Sequence, residues 1–242
     1  MAQVAPSGMV PRPGLIHLHC GDAAAAVHRR SGLPGDLRVW RDSPAVGPWI
    51  SGPGDLASLR RTWWGGVPND RADLPHLQDL ARATDPVLWF GPDPWEQACL
   101  LWVLGEVPEG TLPDLVPLDR SAALLPPAAY PRCFTERTLL EADTLSEARA
   151  LWGVFLAKGW GALAGARVSM LPWLGQALDR LAEDHPPFGP GRTRRQIQAL
   201  VGQGCQEIPA LMSALRELED PRHGAWYGDL YVARMVEAMG VR

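Results

Sequence analysis

The segment PVLWFGPDPWEQACLLWVLG, residues 86–105, constrains the fold more than any other part of the chain. Val87–Phe90 is a short apolar run bounded by proline and glycine, which is typical of a strand buried on both faces. Asp93 and Pro94 follow directly, and this pair is typical of the start of a helix. A buried strand, a tight turn and a helix in succession predict an α/β domain.

Two acidic side chains stand at the start of this predicted helix. Glu96 lies three residues after Asp93, which is the spacing of a capping box, and a cap of this kind contributes roughly 0.5 to 2 kcal/mol. Capping alone could therefore explain both residues, but Gln97 has no part in it. All three follow the carboxyl end of a strand, where open α/β sheets usually bind their ligands.

Composition excludes several classes of protein. The 242 residues are 46% hydrophobic, which is ample for a packed core. A net charge of -4 and a pI near 5.9 argue against a protein that coats nucleic acid or anionic membrane by bulk charge. The cysteines are scattered without zinc-site spacing, which favours a reducing cytoplasm. No apolar run approaches the roughly 20 residues that span a bilayer, so we expect a soluble, cytoplasmic protein without membrane contact.

Strands and helices alternate along the first half of the chain. Residues 1–13 are rich in proline and glycine and are predicted to be a flexible arm. Four strands are predicted, at Leu15–Cys20, Leu37–Trp40, Val87–Phe90 and Leu115–Leu118. With helices between them, including one that follows Asp22 as its N-cap and others at Asp55–Trp64 and Leu74–Ala83, residues 14–120 are predicted to form a mainly parallel sheet flanked by helices.

The strand signals end near residue 121, and an all-helical C-terminal domain is predicted over residues 121–242. Its predicted helices are Leu145–Lys158, Met170–Asp184, Thr193–Val201, Ile208–Leu218 and Asp229–Met239. Apolar residues recur at helical spacing in these segments, which is the pattern of helices that pack by one face.

His17 and His19 alternate with apolar residues in the first predicted strand, so both lie on one face. A His-x-His pair at a strand end is a good pair of metal ligands. The alternative is two histidines packed beneath a helix or partly solvated. The pair resembles the start of amidohydrolase-type metal enzymes, but that fold needs an eight-stranded barrel, and this chain has only about four strand signals.

Four short motifs occur in a fixed order: LIHLHCGD at residues 15–22, VWRDSPAVGP at 39–48, LWFGPDPWEQACLL at 88–101 and GAWYGDLYVARM at 224–235. On these motifs the chain resembles a bacterial family described only as domain of unknown function number 1835, with a divergent C-terminal domain like number 3658. The resemblance covers most of the chain and implies no established reaction. The polar positions to which it points are Gly21, Asp22, Arg41, Asp42, Gly47, Pro48, Asp93, Glu96, Gln97, Gly228 and Asp229.

The residues that follow the predicted strands suggest a ligand site at one edge of the sheet. Asp22, Arg41, Asp93 and Gln97 are predicted to bind the ligand, and Asp42 and Glu96 to carry any acid and base chemistry. Helix N-termini and an arginine favour an anionic or nucleotide-like molecule, and the carboxylates could hold Mg²⁺ beside it. The chain has no phosphate-binding glycine motif and no nucleophile motif. The alternative is that these side chains only cap helices and tie down a loop.

A second hypothesis concerns residues 193–218, which have the length and short connector of a helix-turn-helix. Three arginines, Arg192, Arg194 and Arg195, could contact phosphate. Acidic residues at Glu207 and Glu217 oppose a polyanion, so two packed helices are the commoner explanation and nucleic-acid binding is the less favoured one.

Four aromatic residues, Trp63, Trp64, Trp226 and Tyr227, form either a contact surface or a seam between domains. The residues leave the oligomeric state open.

Overall fold

The computed structural model describes residues 14–50, 53–65, 77–222 and 227–240. The predicted arm at residues 1–13 and the predicted aromatic contact at Trp226 lie outside these ranges. Within them the strands are β1 (Leu15–Cys20), β2 (Asp36–Trp40), β3 (Asp85–Trp89), β4 (Asp114–Leu115) and β5 (Thr138–Leu139). They form one sheet in the order β2-β1-β3-β4-β5, in which the first four strands are parallel and β5 is antiparallel to β4.

The helices are α1 (Asp22–Ser31), α2 (Pro53–Trp63), α3 (Leu77–Arg82), α4 (Pro94–Glu106), α5 (Tyr130–Thr135), α6 (Ala142–Lys158), α7 (Leu174–Asp184), α8 (Arg192–Gly202), α9 (Ile208–Glu217) and α10 (Asp229–Ala238). Short 3₁₀ turns lie at Ala122–Leu124, Pro127–Ala129 and Trp160–Leu163. The predicted fold class, a mainly parallel sheet flanked by helices and followed by a helical region, is confirmed.

Two strands differ from their predictions. β4 has only two residues, Asp114 and Leu115, so it begins one residue before the predicted Leu115–Leu118 and shares only Leu115 with it. The prediction of no strand after residue 121 is wrong, because Thr138–Leu139 returns to the sheet as β5 and pairs with β4. Two exposed residues carry no alternating pattern, so nothing in their local sequence marks them as a strand.

Helix α4 is buried on almost every side. Of residues 94–104, all but Trp95 are buried. The helix contacts α6 and α7, and its apolar residues belong to the same cluster as those of β1 and β3. A helix that is apolar all round is a core helix. Residues 86–105, the part of the sequence that most constrains the fold, therefore lie at its centre.

The apolar core does not stop at the predicted boundary near residue 120. One cluster includes Leu18 of β1, Leu101 of α4, Leu178 of α7 and Val232 of α10. A smaller cluster covers the other face of the sheet, where α1 and α5 pack on Val87 and Trp89. No helix among the described residues is long and apolar enough to cross a bilayer.

Candidate functional site

A cavity of about 430 Å³ lies at the carboxyl ends of β1, β2 and β3. This is the edge at which the sequence predicts a ligand site. Its wall combines residues that follow the strands with residues 227–230, which come from the end of the chain. The lining residues are Cys20, Gly21, Asp22, Ala23, Arg41, Trp64, Asp93, Trp95, Glu96, Ser121, Tyr227, Gly228, Asp229 and Leu230.

Three helices begin at this cavity. The N-cap residues of α1, α4 and α10 are Gly21, Asp93 and Gly228, and all three line it. The two glycine caps have no side chain that could accept a hydrogen bond from the first turn. Because a helix N-terminus carries partial positive charge and free N–H groups, α1 and α10 both direct hydrogen-bond donors to this region.

Asp22 and Arg41 form an ion pair at the rim. Arg41 Nε lies 3.0 Å from both carboxylate oxygens of Asp22, whose side chain is largely exposed. The prediction of Asp22 as the N-cap of α1 is wrong, since Gly21 takes that position with φ at 81° and Asp22 is the first residue of the helix. A positive φ of this size favours glycine. The shift frees the Asp22 carboxylate to pair with Arg41.

Asp93 caps α4 as predicted, but Glu96 does not close the box. Asp93 Oδ1 accepts the backbone N–H of Glu96 at 2.7 Å. The reciprocal bond, from the Asp93 N–H to Glu96, is replaced by two others, because Glu96 accepts the backbone N–H of Gly91 and the hydroxyl of Ser121. Both carboxyl groups are about 95% buried, with exposed fractions of 5% for Asp93 and 4% for Glu96.

Burial governs the protonation of this pair. It raises the pKa of Asp93 well above its usual range, and the charge of the adjacent Glu96 raises it further. Burial also raises the pKa of Glu96, although hydrogen bonds from Ser121 and Gly91 favour its ionised form. The two carboxyl groups lie within hydrogen-bonding reach of each other. These effects favour one shared proton, carried by Asp93, with Glu96 as the acceptor.

Asp42 lies outside the cavity, so the expectation that it joins the other acidic residues there is wrong. Its Oδ2 accepts from Arg60 Nε at 2.6 Å, and its Oδ1 accepts from Arg60 Nη2 at 2.5 Å. Oδ1 also accepts the Ser43 N–H and the Trp64 indole N–H. Both oxygens accept hydrogen bonds in the core, which is the arrangement of a structural tie, and the acid–base role of Asp42 stays a prediction.

Nothing in the sequence marks Arg60 as the partner of Asp42, because the two are 18 residues apart and Arg60 lies on α2. Its guanidinium lies 4.8 Å from the ring centre of Trp63 and 4.9 Å from that of Trp49. Trp63 also contacts Arg234 of α10, with 4.9 Å from the guanidinium carbon to the ring centre. This tryptophan therefore lies in a seam between the sheet region and the last helix, one of the two alternatives for it.

Gln97 also lies apart from the other predicted ligand-binding residues. It lines a second cavity of about 300 Å³, on the β4–β5 side of α4. Its side-chain amide Nε2 donates to the carbonyl of Gly91 at 2.7 Å. Gly91 thus separates the two cavities, since its N–H is bound by Glu96 and its carbonyl by Gln97.

The histidines of β1 are buried beneath α1, where His28 joins them. His17 Nε2 lies 3.0 Å from the Pro34 carbonyl and its Nδ1 accepts the Trp89 indole N–H at 3.0 Å, which is the pattern of a neutral ring with its proton on Nε2. His19 Nε2 and His28 Nδ1 are 2.8 Å apart. Burial lowers the pKa of all three rings, that of His28 to about 3.

The alternative of packed histidines fits this arrangement. Among residues 14–50, 53–65, 77–222 and 227–240, no three side chains of the types His, Cys, Asp and Glu form a group that could hold a metal ion.

The helix pair of the second hypothesis exists as α8 and α9. Helix α9 buries Leu211 and Leu215 and leaves its other side exposed. That exposed side carries one cation, Arg216, next to one anion, Glu217. In α8, Arg192 is bound by Glu183 at 2.8 Å. Arg194 and Arg195 are exposed at the start of the same helix, and duplex binding, which depends on concentrated positive charge, stays a prediction.

Sequence reasoning missed two polar residues of the cavity. Ser121 follows the predicted fourth strand, so its place at the carboxyl edge was available as a signal. The sequence around Tyr227 carries no signal that points to a cavity. Its hydroxyl contacts Thr193 Oγ1 at 2.6 Å and Glu219 Oε1 at 3.1 Å, and it also contacts Arg180. Burial raises the pKa of Tyr227, so its hydroxyl stays protonated. This network fixes the start of α10 over the cavity.

Comparison of the chain with protein-family models, with curated proteins and with solved structures finds no match. The resemblance to the two families of unknown function therefore stays a prediction. Seven of the eleven positions to which it points line the first cavity, namely Gly21, Asp22, Arg41, Asp93, Glu96, Gly228 and Asp229.

Proposed function

We propose that this protein binds an anionic small molecule in the first cavity and that the Asp93–Glu96 pair exchanges a proton with it. The observation that carries the proposal is the buried carboxyl pair in the wall of an open cavity. Ionised carboxyl groups are costly to bury without a cation, and their position beside a cavity is typical of groups that act on a ligand.

The donors around the cavity favour an anion. Glycine N-caps leave the first turns of α1 and α10 without a cap from that residue, although Asp229 Oδ1 accepts the Leu230 N–H at 2.9 Å, and Arg41 adds a guanidinium. A protonated Asp93 would be a further donor. A phosphate or carboxylate group is the chemistry that these donors suit, whereas two ionised carboxylates in the pair would repel it.

The roles of the residues follow from their protonation. Asp93 would give its proton to the bound molecule, and the resulting Asp93 carboxylate would keep the backbone N–H of Glu96 as a hydrogen-bond donor, while Ser121 and Gly91 continue to donate to Glu96. Asp22 would orient Arg41 at the rim. We also propose a cytoplasmic location, which the four free thiols at Cys20, Cys99, Cys133 and Cys205 support.

Isothermal titration calorimetry with inorganic phosphate, succinate and AMP tests the binding. We expect at least one of them to bind, and Arg41→Ala to weaken that binding about tenfold through the loss of a charge-assisted hydrogen bond. Arg38→Ala is the matched control, because Arg38 also lies at β2 in an ion pair, with Asp79 at 3.3 Å, but does not line the cavity. Equal effects of the two substitutions, or no binding by any of the three anions, would overturn the proposal.

Proton exchange is tested in the same calorimeter with two buffers of different ionisation enthalpy. Wild-type protein should show a buffer-dependent heat, which reports a change in bound protons when the anion binds. Asp93→Asn should abolish that dependence while the fold is retained, because asparagine caps a helix as well as aspartate does. A buffer-dependent heat that survives in Asp93→Asn would place the proton elsewhere.

A further inference from the structure

The second cavity has the features of a ligand site that is distinct from the first. It lies between α4, the β4–β5 edge of the sheet and the turn before α7, and its wall is almost entirely apolar. Its apolar lining includes Phe90, Leu100, Leu115, Leu140, Met170 and Trp173. A volume of about 300 Å³ is at the lower end of the range for small-molecule pockets.

One polar atom in this wall lacks a partner. Gln97 is 98% buried, with an exposed fraction of 2%, and its Oε1 accepts no hydrogen bond from any described residue. The amide orientation is fixed by chemistry, because the Gly91 carbonyl can only accept and must therefore face the Nε2 end. A buried carbonyl oxygen left without a donor is energetically unfavourable, so a ligand that supplies a donor gains from it.

The remaining polar groups point to the same kind of ligand. Asp119 lies at the mouth, and the adjacent Arg120 lowers the pKa of its carboxyl group, which therefore acts as an acceptor. Thr138 is exposed at the opposite edge. Acceptors thus outnumber donors in a cavity whose body is aliphatic and aromatic, and a negatively charged ligand is disfavoured.

We infer that this second cavity binds a small, uncharged and mainly apolar molecule, of one or two rings, whose single hydroxyl or N–H group donates to Gln97 Oε1. This site takes a class of ligand different from that of the first cavity and does not depend on the function proposed there. The two sites lie next to each other at Gly91, whose backbone contacts Gln97 on one side and Glu96 on the other.

Three probes of similar shape test the inference by calorimetry: 4-methylphenol, toluene and 4-methylanisole. The first has a donor, the second has no polar atom, and the third has only an acceptor. We expect 4-methylphenol to bind about tenfold more tightly than toluene, and 4-methylanisole no more tightly than toluene. Equal affinities for 4-methylphenol and toluene, or no binding of 4-methylphenol, would overturn the inference.

Gln97→Met keeps the length of the side chain and removes the acceptor. In this variant the preference for 4-methylphenol over toluene should disappear. Glu96→Gln is the matched control on the facing side of Gly91 and should keep the preference, so failure of the first site and failure of the second are distinguishable. A preference that survives in Gln97→Met would show that the hydroxyl binds another group.

Nuclear magnetic resonance locates the probe independently of these variants. The methyl group of Met170 lies at the cavity wall, and its ¹³C-labelled signal can be assigned by its loss in Met170→Leu. Addition of 4-methylphenol should shift this signal more than that of Met212, which lies on α9 away from the cavity. Binding that leaves the Met170 signal unmoved would contradict the assignment of the site.

Discussion

Replacing Arg60 by methionine tests whether Asp42 is a structural tie. The substitution keeps an unbranched apolar stem among the tryptophans but removes the guanidinium that binds both Asp42 oxygens. Arg60 is fully buried and Asp42 is 2% exposed, so the carboxylate would be left in the core without its cation. Loss of one partner from a buried ion pair typically costs about 3 to 5 kcal/mol.

The backbone adds to this cost. Arg60 Nη1 also donates to the carbonyls of Val46 and Pro48, at 2.6 and 3.1 Å, and these oxygens would lose their partner. Since such losses are not additive, we expect a decrease of about 4 kcal/mol in the free energy of unfolding. Urea denaturation followed by tryptophan fluorescence measures it, and an unchanged slope would indicate that the denatured state is the same.

Two comparisons make the result specific. Arg38→Met removes a partly exposed partner of Asp79 and should cost no more than about 1 kcal/mol. Adding Asp42→Asn to Arg60→Met removes the uncompensated charge and should recover about 1 to 3 kcal/mol, because the asparagine oxygen can still accept from Ser43 and Trp64. A cost below 1 kcal/mol for Arg60→Met, or no recovery in the double variant, would refute the structural role of the pair.

Two further predictions concern stability. The pKa of His28 falls from 6.5 to about 3 on folding, so the free energy of unfolding is highest above pH 6.5 and declines as the pH falls towards 3, with a loss of about 2 kcal/mol by pH 5. The urea midpoint of His28→Gln should depend less on pH over this window than that of the wild type, and an equal dependence would contradict the prediction. Gly91→Ala would place its Cβ 2.4 Å from the Arg120 carbonyl oxygen and should lower the free energy of unfolding by about 1 to 3 kcal/mol, as measured by thermal unfolding. Gly153→Ala in α6 is the control: no neighbouring atom lies within 4 Å of the added Cβ, so this change should be neutral or stabilising.

The parts of the fold that could be predicted from the sequence are those with local signals. β1 has the bounds that its alternating pattern predicts, and Asp93 caps α4 because the cap, Pro94 and the first turn are contiguous. The parts that could not be predicted depend on distant residues. Ser121 approaches Glu96 across 25 positions, and this contact diverts the carboxyl group from the capping box to the cavity.

The candidate site shows the same division. The edge rule for parallel strands predicts that Asp22, Arg41, Asp93 and Glu96 lie together, and all four line one cavity, whereas their roles in binding and proton transfer stay predictions. The rule gives the edge but not the direction of each side chain. Asp42 turns into the core towards Arg60, and Gln97 faces the neighbouring cavity because the next position on a helix points about 100° away.

The proposed function requires that Asp93 and Glu96 together hold a proton at neutral pH. Difference infrared spectroscopy at pH 7, between wild-type protein and Asp93→Asn, measures it directly. We predict that the carbonyl stretch of a protonated, buried carboxylic acid is present in the wild type and absent from the variant. A spectrum in which Asp93→Asn removes only the bands of an ionised carboxylate would show that the pair carries no proton, and would contradict the proposed acid–base role.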